Sequence, residues 1–216
     1  AETACLVLPV YKGSDLLPAV AKLDDASERL IGQLLERGDF DAALGNTQLV
    51  PFAPGLGADR ILLVGLGERD KCQEAAFIKA LDAAMAALVK LPVDEASATF
   101  TDVPLDDRDA VWKARKTLEA AERAIYRFDH FKSSPAKAPS LAKLTLIVSD
   151  AGDAPLAKQG AALGTAIGQG INFTRTLGNL PGNVCTPRYL AEQAEALGRD
   201  SQGALDVEIL DEEALE

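Results

Sequence analysis

Apolar residues along this chain come in two kinds of run: short continuous blocks, and longer stretches where they recur every three or four positions. The blocks ACLVLPVY (4–11), RILLVG (60–65) and LTLIVS (144–149) predict β-strands, and the last two have the uninterrupted character of strands covered on both faces. Weaker strand candidates lie at 47–52 and 97–103. Helical spacing fills the intervals. Residues 15–37 carry an apolar face of Leu30, Ile31, Leu34 and Leu35, with Gly38 where a helix would stop. Asp25 followed by Glu28 has the spacing of a capping box. Phe77, Leu81, Met85 and Leu88 mark a helix over 73–90, and Val111, Ala114, Leu118, Ala121, Ile125 and Phe128 one over 107–128. Strands alternating with helices predict an α/β sandwich around a largely parallel sheet. No internal repeat is visible.

The last third reads differently. Residues 155–177 form one helical stretch with Gly160, Gly164 and Gly168 spaced by four, near one face. Each glycine inside a helix costs about 1 kcal/mol relative to alanine. Three in register predict the close approach of another backbone, with Ala157 and Ala161 widening the smooth surface; the competing reading is a merely flexible helix. Lys158, Gln159, Gln169, Asn172 and Arg175 in the same stretch exclude a membrane dimer. Beyond it, Asn179, Pro181, Gly182 and Asn183 supply turn chemistry. Thr186 and Pro187 open another helix, a hydroxyl at the N-cap and a proline at the first helical position. Leu190, Ala194 and Leu197 continue its apolar face to Gly198, the expected C-cap, and 205–210 reads as a final strand. These last 30 or so residues are too few to bury a core of their own. The expectation is therefore a domain over 1–150, a linker helix and junction over 151–183, and the opening of a second domain over 184–216.

Composition narrows the chemistry. The 216 residues are 48% hydrophobic and 25% charged, a soluble globular mix, and no run is long enough for a membrane helix. AETACLVLPV lacks the basic region and cleavage site of a signal peptide. A net charge of −11 repels phosphate backbones and anionic lipid, which argues against nucleic acid as a partner. Cys5, Cys72 and Cys185 are far apart and form no CxxC pair, as expected of reduced thiols in a cytoplasmic protein. His130 is the only histidine, so a multi-histidine zinc site is impossible. The acidic groups Asp24/Asp25, Asp106/Asp107/Asp109 and Asp211/Glu212/Glu213 sit at helix starts or the chain end, where solvated caps outweigh metal ligation as a reading. VGLGERDK (64–71) follows a strand and precedes a helix, but it lacks both the third glycine of a dinucleotide loop and the GK[ST] of a P-loop. Arg175, Asn179 and Asn183 recur every four residues and read as turn-bonding residues between domains rather than substrate contacts. Taken alone, these residues imply no reaction.

The run NFTRTLGNLPGNVCTPRYLAEQA (172–194) resembles the junction segment of the cytosol-type leucine aminopeptidase family, R-x-L-x-N-x-P-x-N-x-x-T-P-x-x-L-A. Arg175, Leu177, Asn179, Pro181, Asn183, Thr186, Pro187, Leu190 and Ala191 match it. RILLVGLG (60–67) is similar to the family's strand before its first long helix, and AIYRFDHFKS (124–133) to its tyrosine–aromatic segment. The resemblance implies a macro-like N-terminal α/β domain, a linker helix, and a larger C-terminal domain in a hexamer. It further implies two divalent ions, manganese or zinc, bound in that C-terminal domain by lysine, aspartates and a glutamate. A metal-bridged water would there attack the peptide carbonyl, with an arginine-held bicarbonate nearby. None of those ligands can be placed on this sequence, so no catalytic or metal residue is expected within it. The other class of function is a macro-like module binding ADP-ribose or a nucleotide.

Overall fold

The structure is a computed structural model that describes residues 2–13, 16–211 and 213–215. Five strands form one sheet: β1 (Leu6–Tyr11), β2 (Thr47–Val50), β3 (Ile61–Gly67), β4 (Glu95–Ala98) and β5 (Lys143–Leu146), in the order β2-β3-β1-β4-β5. All pairs are parallel except β2–β3. In the central pair Leu6 lies opposite Ile61 and Leu8 opposite Leu63. Every residue of β1 is buried, as are the first six of β3, which is why both read as unbroken apolar blocks.

The connections explain the layers. The path from β1 to β3 runs one way along the sheet, and the path from β3 to β4 runs back past β1. Right-handed crossovers then place α1 (Pro18–Ala26) and α2 (Leu30–Glu36) on one face, and α3 (Glu74–Leu88) and α4 (Ala110–Ile125) on the other. Phe77 of α3 anchors the second layer, edge-on to Phe100 at 5.9 Å and tilted against Trp112 of α4 at 5.7 Å. Asp109 caps α4 by accepting the Trp112 amide at 2.8 Å.

Six local expectations are corrected. The helical stretch 15–37, whose first residue lies outside the described ones, is two helices, because Glu28 and Arg29 take left-handed φ values of 56° and 61°. Asp25 is exposed and no capping box forms. Buried Asp24 instead accepts the Ile31 and Gly32 amides at 2.7 and 3.1 Å. The block at 144–149 is not a doubly covered strand: β5 is the sheet's edge, and its residues alternate between exposed and half-buried. Strand β4 is shorter than expected and gives way to a 3-10 turn at Phe100–Asp102. Gly198 does not stop its helix. Helix α6 (Pro187–Asp200) runs through it, and the missing side chain admits Val207, whose Cγ2 would lie 2.9 Å from a β-carbon there. Residues 205–210 are not a strand, since a strand needs a neighbouring ladder and the described residues after 172 contain no sheet.

Helix α5 (Asp153–Asn179) spans the boundary between two compact units, Ala1–Asn172 and Phe173–Glu216. Its first twenty residues lie along α4. A β-carbon on Gly160 would stand 2.2 Å from the Val111 carbonyl oxygen, one on Gly164 2.3 Å from that of Arg115, and one on Gly168 2.4 Å from Glu122 Cβ. The Asn172 side-chain amide donates to the Glu122 carbonyl at 2.9 Å. Gly160 and Gly164 admit the backbone of α4, and Gly168 admits its Glu122 side chain.

Candidate functional site

The junction residues are placed by local backbone chemistry. Helix α5 continues to Asn179, so Arg175 and Asn179, four apart, share one helical face, while Asn183 lies in the turn that follows. Pro181 has no amide hydrogen to extend the helix, and its carbonyl accepts the amides of Val184 and Cys185, both at 2.9 Å. The Thr186 amide donates to the Val184 carbonyl at 2.9 Å, and its hydroxyl caps α6 by accepting the Tyr189 amide at 3.3 Å. Pro187 occupies the first helical position. Arg175, Asn179, Pro181, Asn183 and Pro187 are exposed and Thr186 is half-buried. The segment is a turn that starts a helix.

The titratable groups are engaged elsewhere. Asp24 holds two amides of α2, Asp109 caps α4, and Asp211 accepts the Ala214 amide at 2.9 Å. Asp102 receives the amide and hydroxyl of Ser149 at 3.0 and 2.6 Å, tying the end of β4 to the chain after β5. Glu212 lies outside the described residues. Burial lowers the Lys113 ammonium pKa, against the pull of Asp153, Asp102 and Asp109, and the group donates to the Val103 carbonyl. Burial pushes the Cys5 thiol up to about 11 and also raises Cys72 and Tyr11, so neither buried cysteine supplies a thiolate at neutral pH. His130 stacks on Phe128 at 5.3 Å. Among the described residues, no three His, Cys, Asp or Glu side chains converge to hold a metal ion.

The glycines of 64–71 serve packing. A β-carbon on Gly65 would sit 2.1 Å from the Ala43 carbonyl oxygen, and Gly67 has a φ of +74°. Their amides donate to Asn46 and Ala42 at 2.8 and 3.0 Å, so neither is left to cradle a phosphate. A recess of about 250 Å³ at the carboxyl ends of β1 and β3 is bordered by Lys12, Leu44, Gly67 and Lys71, but Lys71 is ion-paired with Glu68. Sequence reasoning missed the role of Asp24. An aspartate inside a helical stretch carries no local sign that it will turn under the next helix.

With that geometry in place, comparison with known proteins decides the family. Residues 7–135 match the cytosol aminopeptidase family, N-terminal domain. This chain belongs to that family. A relative in Chromohalobacter salexigens, named "probable cytosol aminopeptidase", is 68% identical over 215 residues, covering 100% of this chain and 42% of its own length. A second, of the same name, in Methylobacillus flagellatus is 42% identical, covering 98% and 42%. The chain thus spans about two fifths of the curated relatives it matches. Among solved structures, a variant of tomato leucine aminopeptidase superposes with a TM-score of 0.78 at 22% identity, covering 100% of this chain and 43% of that one. The bottromycin maturation enzyme BotP, solved with manganese, gives 0.69 at 21% identity, covering 93% and 37%. At such identities these structures speak for the shared fold, a mostly parallel α/β domain of this family.

Proposed function

We propose that this chain is the N-terminal part of a leucyl aminopeptidase, a two-metal exopeptidase that releases N-terminal amino acids, leucine by preference, from peptides. The observation that carries the reading is the 68% identity to a probable cytosol aminopeptidase more than twice as long. In this reading residues 1–150 are the macro-like domain, 151–183 the linker helix and junction, and 184–216 the opening of the catalytic domain. The full-length protein is a cytoplasmic homo-hexamer. No helix among the described residues is long and apolar enough to cross a membrane.

The implied ions are manganese or zinc, and the residues here do not fit them. The described carboxylates are dispersed over caps and ion pairs. No step of peptide hydrolysis is therefore assigned to this chain. Its contribution is structural: the Gly160, Gly164 and Gly168 ridge fixes the first part of α5 on α4, and the Pro181 turn and Thr186 cap begin the next helix.

The test compares two proteins. Full-length enzyme with manganese should hydrolyse leucine p-nitroanilide, while residues 1–216 should not, with or without added metal. Metal-stimulated turnover by the shorter chain, free of contaminating peptidase, would defeat the reading. Titration calorimetry with ADP-ribose addresses the alternative of a macro-like binding module. No heat is expected, because the Gly65 and Gly67 amides are already bonded within the chain.

A further inference from the structure

The loop after α4 is a cationic and aromatic patch on an acidic protein. Between α4 and β5, residues 126–142 contain Arg127, Lys132 and Lys137 against one carboxylate, Asp129, in a chain of net charge −11. Phe128, His130 and Phe131 cluster at the loop's start, with ring centroids 5.3 to 6.3 Å apart, and Phe131 is 60% exposed. The cluster is held in place. Asp129 pairs with both Arg127 and Lys132, and the Arg127 guanidinium also donates to the Lys137 carbonyl. Beside it, between the end of α3 and residues 137–140, lies a cleft of about 430 Å³ with apolar walls that include Leu91, Pro92 and Pro139. Lys90, Arg127 and Lys137 border it, and among the described residues no carboxylate pairs with Lys90 or Lys137.

We propose that this cleft and the neighbouring aromatic cluster dock an acidic polypeptide segment that carries an aromatic side chain among its carboxylates. The ammonium groups of Lys90 and Lys137 meet the carboxylates, and Phe131 supplies an exposed anchor for the ring. Charge complementarity selects this partner. A carboxylate-bearing segment needs only the two unpaired lysines of the cleft. A nucleic-acid strand needs a longer run of unpaired cations to offset the repulsion from the rest of an acidic protein, and here Arg127 and Lys132 already share Asp129.

Fluorescence anisotropy with the full chain tests the proposal, using labelled peptides built on a repeated Glu-Glu-Phe pattern. Gln-Gln-Phe and Lys-Lys-Phe peptides and a single-stranded oligothymidine are the comparisons. The acidic peptide should bind saturably and weaken roughly fivefold or more as salt rises from about 50 to about 300 mM. Lys90→Glu with Lys137→Glu should lower its affinity about tenfold or more, and Phe131→Ser about tenfold, each with an unchanged circular dichroism spectrum. Equal binding of the Gln-Gln-Phe peptide would overturn the proposal, as would tighter binding of the oligothymidine. So would unaltered affinity in both variants, or no saturable binding of the acidic peptide.

Discussion

Gly164 lies so close to the Arg115 carbonyl oxygen that a β-carbon there would stand 2.3 Å from it, with Leu118 Cβ at 2.9 Å. Alanine is the better helix former by about 1 kcal/mol, but a methyl group at this spacing forces α5 off α4. Gly164→Ala should therefore destabilise the chain, by about 1–3 kcal/mol, and Gly164→Leu by more. Urea denaturation followed by circular dichroism gives the midpoints. A midpoint raised by Gly164→Ala would mean that α5 stands away from α4 in solution.

Asp24 connects two helices across a left-handed break. Its Oδ1 takes the amides of Ile31 and Gly32, and the Ser27 hydroxyl donates to its carbonyl at 3.1 Å. Removing the carboxylate leaves two amide donors without their acceptor, so Asp24→Ala should cost about 1–3 kcal/mol. Asp25→Ala, at the exposed neighbour, should change stability by less than about 0.5 kcal/mol. Equal losses in the two variants would mean that the sequence-level capping box, and not Asp24, holds this corner.

Assembly offers a separate check on the proposed division of labour. If the catalytic part organises the hexamer, residues 1–216 alone should run as a monomer or weak oligomer in multi-angle light scattering. A stable hexamer from these residues would move the organising contacts into the N-terminal part.

What could be read from the sequence was whatever depends on nearest neighbours. The apolar block of β3 shows its double burial directly, and Thr186–Pro187 shows its helix start because cap and first turn are adjacent in sequence. The spacing of Gly160, Gly164 and Gly168 showed that something comes close, but not that it is α4, some fifty residues earlier. The edge position of β5 was hidden for the same reason: LTLIVS has the composition of a central strand, and only the sheet order leaves one side open. The 205–210 segment has strand-like residues and no ladder to join. The break at Glu28 and Arg29 was masked by good helix formers on both sides, because the decisive bond runs from Asp24 to Ile31, seven residues on. As for the site, the junction motif at 172–194 pointed to the family, to which the match over 7–135 and the 68% identical relative also assign the chain, but its residues named no reaction.

Alkaline stability provides a prediction whose sign is fixed by burial. The Cys5 thiol, fully buried, titrates near 11 in the folded chain instead of its ordinary 9.0. Between these values the unfolded chain has lost the proton and the folded chain has kept it. The unfolded state then binds fewer protons, and stability falls as pH rises. The contribution is intact below about pH 9 and declines through about pH 11, by up to roughly 2–3 kcal/mol for a shift of this size. Tyr11 and Cys72, both raised by burial, act in the same direction. Urea midpoints measured from pH 8 to 11 should fall steadily, and Cys5→Ala should fall less steeply over the same range. Parallel slopes for the two proteins would show that Cys5 ionises as readily folded as unfolded, and that solvent reaches the start of β1.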